Sequence, residues 1–176
     1  MHLTLIGFMG TGKTSVGKRL AARLGWEFLD TDAMVEASFG MPVAELFQAH
    51  GEAAFREAEQ DALSDALRPL QPVVLATGGG TPCAEGAMEW MRRRSLVVHL
   101  NPPLDVVLAR LEADVAQRPM LQGKRGADLA LWVQRMMLTR AACYGAAHAT
   151  WVDDLSTDDA LDDALASIQW RLDLER

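Results

Sequence analysis

Residues 7–14 read Gly-Phe-Met-Gly-Thr-Gly-Lys-Thr, directly after the apolar run Leu3-Thr4-Leu5-Ile6. Few features constrain a fold as tightly as this one. Glycines let consecutive backbone N–H groups turn inward around the α- and β-phosphates of a nucleotide, a lysine reaches the β- and γ-phosphates, and a hydroxyl at the last position can ligate Mg²⁺. The loop therefore needs a strand before it and a helix after it, with the positive end of the helix aimed at the same phosphates. Both are legible. Val16, Leu20 and Leu24 recur at four-residue spacing on one face, and Gly25 stops the helix. The loop glycines, Lys13 and Thr14 are therefore the candidate phosphate and metal contacts, with Lys13 also a catalytic candidate.

Beyond the loop, short apolar runs alternate with helical patterns. Strands are expected at about 3–6, 26–29, 73–76, 96–100 and 150–152 with helices between them, which implies βαβ units and a parallel sheet. A helix over about 52–67 is marked by Phe55, Ala58, Ala62, Leu63, Ala66 and Leu67 and is stopped by Pro69 and Pro72. Its other face carries Arg56 and Glu59. From Gln117 to Asp128 the apolar period lapses into a Gly- and charge-rich stretch, read as a surface loop able to close over a ligand. The chain has 176 residues, about half of them hydrophobic, which is the size of one domain with a substantial core.

Charge narrows the partners. A net charge of −7 and a pI near 5.0 have the wrong sign for a nucleic-acid or anionic-membrane surface. The one basic cluster, Arg92-Arg93-Arg94, falls where a helix should end and suits its negative pole. Cys83 and Cys143 have no metal-binding or redox spacing, which suits a reducing compartment. Without a secretory signal or a run of 18 apolar residues, a soluble cytoplasmic protein is expected.

Two further segments carry chemistry. The second strand runs into Asp30-Thr31-Asp32, placing two carboxylates at the strand end where open parallel sheets bind ligands. With Mg·ATP beside them, one carboxylate can hold the metal and the other can orient a hydroxyl or take its proton, so Asp30 with Thr14 forms the candidate metal set and Asp32 the candidate base. The plainer reading is that Asp30 or Thr31 caps the next helix. The third strand runs into Thr77-Gly78-Gly79-Gly80, whose side-chain-free backbone can approach a ligand closely.

Taken together, the loop at 7–14, Leu29-Asp30-Thr31-Asp32, the stretch from Gly51 to Glu59, the triple glycine, Arg118-Pro119, and Arg140 with Tyr144 resemble the shikimate kinase family over nearly the whole length. The resemblance implies a three-layer α/β/α P-loop kinase fold with a central five-stranded parallel sheet and a mobile lid at about 117–128. It also implies ATP-dependent phosphorylation of the 3-hydroxyl of shikimate, with Asp32, Arg56, Gly79 and Arg140 contacting shikimate, Gly10, Thr11, Gly12, Lys13, Thr14, Ser15 and Arg118 contacting ATP, Mg²⁺ as cofactor and a monomer. The chemistry agrees: guanidinium forks at Arg56 and Arg140 suit a carboxylate, and Asp32 suits a hydroxyl. For Arg56 the alternative is an exposed residue paired with Glu52 or Glu59. Thr157 falls where the family places an adenine-side contact and equally fits a helix N-cap. His2, His50, His99 and His148 form no cluster and read as surface or satisfied residues. The five tryptophans and nine methionines read mostly as core material.

A gluconate or nucleoside monophosphate kinase would share the loop and lid but has no need of the Asp32, Arg56, triple-glycine and Arg140 combination. A GTPase would need an Asn-Lys-x-Asp signature, and Asn101-Pro102-Pro103 is a strand-end turn instead. A non-catalytic nucleotide-binding module has no reason to keep an acceptor-side aspartate.

Overall fold

The computed structural model describes residues 1–114 and 121–173. Its centre is a parallel sheet of five strands in the order β2-β3-β1-β4-β5, where β1 is His2–Ile6, β2 Glu27–Asp30, β3 Val73–Ala76, β4 Ser95–Leu100 and β5 Ala149–Trp151. All five expected strands are present, with ends shifted by a residue at most. Among the described residues seven α-helices join them: α1 Lys13–Leu24, α2 Thr31–Phe39, α3 Val43–Ala66, α4 Ala87–Arg94, α5 Leu104–Ala113, α6 Gly126–Gly145 and α7 Asp158–Asp173.

Alternation along the central strands divides the core. Ile6, Val73, Leu75 and Val97 face a cluster with Leu63, Ala66, Met91, Val107, Leu111, Leu129 and Val133 from α3 to α6. Leu3, Leu5, Val74, Leu96 and Val98 face Val16, Leu20, Leu161, Ile168 and Leu172 from α1 and α7. A central sheet buried on both faces in this way is the three-layer α/β/α sandwich. Of the tryptophans and methionines expected in the core, only Trp151 and Met91 are buried among the described residues; the others are half-buried at its rim, and Trp170 is exposed.

Three expectations are corrected. The helix over 52–67 is the second arm of α3, which starts at Val43 and is interrupted at Gly51, whose φ of 80° and ψ of 176° break the helix where Glu52 resumes it. Of the expected lid stretch at 117–128, residues 117–120 lie outside the described residues, and part of the rest is not loop. Gly126 to Asp128 form the first turn of α6, and Leu121 is fully buried against the larger core cluster, so lack of apolar period concealed both a helix start and an anchor. Cys83 and Cys143 are not separate thiols but a disulfide, with Cα atoms 5.3 Å apart across a sequence separation of 60. Linear spacing carries no signal for such a pair, because packing of the short 3₁₀ turn at Thr81–Cys83 against α6 creates it.

Among the described residues no helix is long and apolar enough to cross a membrane. Arg92 to Arg94 do form the last turn of α4, and Arg94 stacks on Trp90.

Candidate active site

The loop between β1 and α1 is shaped by its glycines. Gly7 has φ of 143°, and a Cβ there would lie 2.5 Å from the Leu100 carbonyl oxygen, so only glycine lets the loop leave β1 beneath the end of β4. Thr11 is buried and its hydroxyl donates to the Phe8 carbonyl, which leaves only its backbone for a phosphate. Lys13 Nζ donates to the carbonyls of Gly7 and Phe8. A cleft of about 580 Å³ opens over this loop, lined among others by Gly10, Gly12, Lys13, Thr14, Ser15 and Asp32.

Asp30 and Asp32 divide their tasks. Asp30 caps α2 by accepting the Asp32 N–H at 3.0 Å, while its other oxygen accepts the Thr14 hydroxyl at 2.8 Å. Capping and ligand-side placement thus coexist in one residue. Thr14 Oγ1 and the Asp30 carboxylate form a hard oxygen pair that fits Mg²⁺, which keeps several ligands from phosphate and water. Among the described residues no group of three or more His, Cys, Asp or Glu could hold a metal without such help.

Asp32 faces the cleft from the first turn of α2. Its carboxyl is pushed up to about 6, chiefly because the walls of the cleft desolvate it, and further by the carboxylates of Asp30 and Glu59; Lys13 pulls the other way. It is therefore a carboxylate with a raised proton affinity beside the phosphate loop, as a general base requires.

The triple glycine joins the two sides of the cleft. None of Gly78, Gly79 and Gly80 has a positive φ, so their value lies in missing side chains. A Cβ on Gly78 would lie 2.6 Å from Glu59 Oε1 and 2.7 Å from Asp32 Oδ1, and one on Gly79 would lie 3.3 Å from Arg140 Nη1 and 3.5 Å from the Gly7 carbonyl. A Cβ on Gly80 would lie 3.0 Å from Arg56 Nη1. These approaches gather Asp32, Arg56, Gly79 and Arg140, which lie far apart in sequence, around one turn.

What holds that turn went unread in the sequence. Thr31, considered there only as a cap, is fully buried and accepts the Gly78 N–H at 2.9 Å. Glu59 is 3% exposed and accepts both the Thr81 hydroxyl at 2.8 Å and Arg56 Nη1. Arg56 also reaches Glu52 at 3.3 Å, so it is ion-paired as its alternative reading expects, yet its guanidinium still meets the turn. The Gly79 carbonyl accepts from Tyr144 Oη at 2.7 Å and Arg140 Nη1 at 3.2 Å. Burial raises the Tyr144 phenol, which stays protonated and donating, and its ring lies 4.9 Å from that of His99. His99 is buried, and desolvation aided by Lys13 lowers it to about 4, so it is a neutral packing residue. The helical step from Arg56 to Glu59 was a readable hint; nothing in the sequence signalled Thr31.

On the nucleotide side, Arg110 donates to the Gly10 carbonyl and pairs with Asp154 at 2.5 Å, and Arg19 holds the carbonyls of Leu155 and Thr157. Thr157 caps α7, its hydroxyl accepting the Ala160 N–H at 3.3 Å. Arg118 lies outside the described residues.

A phosphate loop, a carboxylate of raised proton affinity and two arginines around a backbone turn, all at one end of a parallel sheet, define a small-molecule kinase of the P-loop class. The family described as Shikimate kinase matches residues 9–169. A shikimate kinase of Bacteroides thetaiotaomicron is 37% identical over 175 residues, 99% of each chain. The crystal structure of a shikimate kinase from that organism superposes with a TM-score of 0.89 at 36% identity, covering 98% of both chains. A shikimate kinase from Acinetobacter baumannii in complex with shikimate gives 0.82 at 33% identity, covering 98% of this chain and 93% of the other. The chain belongs to the shikimate kinase family.

Proposed function

We propose that this chain transfers the γ-phosphoryl group of ATP to the 3-hydroxyl of shikimate, yielding shikimate 3-phosphate and ADP on the route to chorismate and the aromatic amino acids. The observation that carries this reading is the Gly78–Gly80 turn, around which Asp32, Arg56 and Arg140 gather and which meets the phosphate loop at Gly79. Shikimate is a carboxylic acid with three hydroxyls. Arg56 and Arg140 bind its carboxylate, and Gly79 offers backbone polar groups without a side chain in the way. Asp32 orients the 3-hydroxyl and takes its proton as that oxygen bonds to the γ-phosphorus and the bond to the β–γ bridging oxygen breaks.

On the donor side the backbone of 10–15 and Lys13 bind the phosphates, and Arg118 joins Lys13 in balancing charge on the transferred group. Thr14 and Asp30 are the residues to hold Mg²⁺, which when bound neutralises the β- and γ-phosphate oxygens. Closure of the stretch around 117–125 excludes water, the competing acceptor. Residues 1–176 act as one domain and a monomer in the cytoplasm, on small molecules, without nucleic-acid or membrane partners.

The decisive experiment is ADP release with Mg·ATP and shikimate, quinate, gluconate, a nucleoside monophosphate or no acceptor, repeated with Asp32→Asn. Release specific to shikimate that falls about 10²–10⁴-fold in Asp32→Asn supports the reading. Equal turnover in the variant, or preference for another acceptor, overturns it.

A further inference from the structure

The acceptor turn is held from two directions. Thr31 and Glu59 grip it from α2 and α3, whereas Tyr144 and Arg140 grip the Gly79 carbonyl from α6. On the α6 side a covalent link runs parallel to those hydrogen bonds. Cys83, whose N–H donates to the Gly80 carbonyl at 3.0 Å, is bonded to Cys143, the residue before Tyr144 and one turn beyond Arg140. The bond is thus three residues from the last glycine at one end and next to the gripping tyrosine at the other. Cys83 is exposed and Cys143 half-buried, so a thiol from solution can reach the pair.

We propose that Cys83 and Cys143 form a reversible dithiol–disulfide site that sets how firmly the acceptor turn is held, and hence the affinity for shikimate, leaving the nucleotide side alone. The proposal rests on the acceptor assignment made above. The chemistry is exchange with a small disulfide of the glutathione type. The exposed Cys83, as thiolate, attacks one sulfur of that disulfide and expels a glutathione thiolate, forming a mixed disulfide; Cys143, as thiolate, then attacks Cys83 Sγ and expels the second. The two cysteines lose two protons and two electrons, and one glutathione disulfide becomes two thiols. Thiol in excess runs the same steps backward.

The position predicts which constant moves. With the bond closed, α6 and the turn move together and Gly79 keeps both donors. With it open, the turn remains attached through Thr31 and Glu59, but its α6 side keeps only two hydrogen bonds and the packing of the 3₁₀ turn, without the covalent link. The phosphate loop leaves β1, enters α1 and packs beneath the Leu100 carbonyl at the end of β4, and it meets the turn at Gly79, which is held from β3 as well.

The test is to equilibrate the folded protein in glutathione buffers from fully reduced to fully oxidised, count thiols by alkylation and mass measurement, and determine both Michaelis constants at each poise. Expected are two free thiols at one extreme and none at the other, with the KM for shikimate rising about fivefold on reduction and that for ATP moving less than about twofold. Cys83→Ser, at an exposed position, should show the reduced enzyme's shikimate KM at every poise. Failure of the thiols to pair in the folded protein overturns the site. Pairing with unchanged shikimate KM, or an equal shift in both constants, overturns the coupling. Absence of shikimate-dependent ADP release in both forms overturns the kinase reading itself and the coupling with it, while the thiol count still decides whether the site forms.

Discussion

The two halves of the cleft are built on opposite plans. The proposed nucleotide half centres on one contiguous segment, residues 7–15, whose backbone is what it offers to a phosphate and whose form is fixed against the end of β4. The proposed acceptor half gathers Asp32 from α2, Arg56 from α3, Gly79 from the β3 turn and Arg140 from α6, and Thr31, Glu59 and Tyr144, which hold its turn, come from the same three helices. Anion binding by backbone amides needs only local conformation, whereas recognising one small molecule needs side chains converging from several directions. Damage to the first half should therefore register as lost fold, and damage to the second as lost acceptor binding in a folded protein.

The largest effect expected from that contrast is at Gly7. In Gly7→Ala the new Cβ meets a backbone oxygen at 2.5 Å at a φ of 143°, so neither side can yield cheaply. A loss of about 3–5 kcal/mol is expected, read as a fall in melting temperature of roughly 10 °C. A Gly7→Ala protein that melts like wild type and fails only in catalysis would break the comparison. Reduction of the disulfide tests the other end, since opening a loop of 60 residues relaxes the unfolded chain by about 4 kcal/mol in the chain-entropy account. Calorimetry of reduced and oxidised protein measures how much of this the native state returns.

Glu59→Gln comes next. It removes a buried charge that orients Arg56 but leaves an acceptor for Thr81, so a stability loss of about 1–2 kcal/mol is expected. The KM for shikimate should rise about tenfold with that for ATP little changed. An equal rise in both would show that the two halves are not separable.

Tyr144→Phe sharpens the comparison further. It deletes one of two donors to the Gly79 carbonyl and keeps the ring, which costs about 1 kcal/mol and raises the shikimate KM a few-fold. Steady-state kinetics with ATP saturating reads this directly, and a shift in the ATP constant instead would move Tyr144 to the wrong half.

The smallest effect concerns Asp32 in metal-free protein. Its folded carboxyl lies near 6 against 3.8 in the unfolded chain, so the folded state prefers the protonated form. The stability this preference contributes is complete below about pH 4 and is lost as pH rises through about 6. At pH 8 the ionised carboxylate is a cost, and Asp32→Asn should melt slightly higher than wild type, by no more than about 1 kcal/mol once solvent at the exposed side chain is allowed for. At pH 4 the two should coincide. A variant that melts lower at pH 8 would show that Asp32 has a net stabilising partner.

Residues 3–14 by themselves determined the strand, the phosphate loop, the start of α1 and the use of a nucleotide, because apolar period, glycine geometry and helix polarity are properties of neighbouring residues. The five parallel strands followed from the same local logic, as did the two carboxylates and three glycines at strand ends. The resemblance carried the acceptor-side arginines. Tertiary structure alone decided that Glu59 is buried rather than solvated, that Thr31 and Tyr144 clamp the glycine turn, that Leu121 is buried in the core, and that Cys83 meets Cys143. Each of these depends on which distant surface a residue packs against. A carboxylate on a helix reads the same in sequence whether it faces water or, as Glu59 does, a buried hydroxyl; only the closed core removes its solvent and gives it a role.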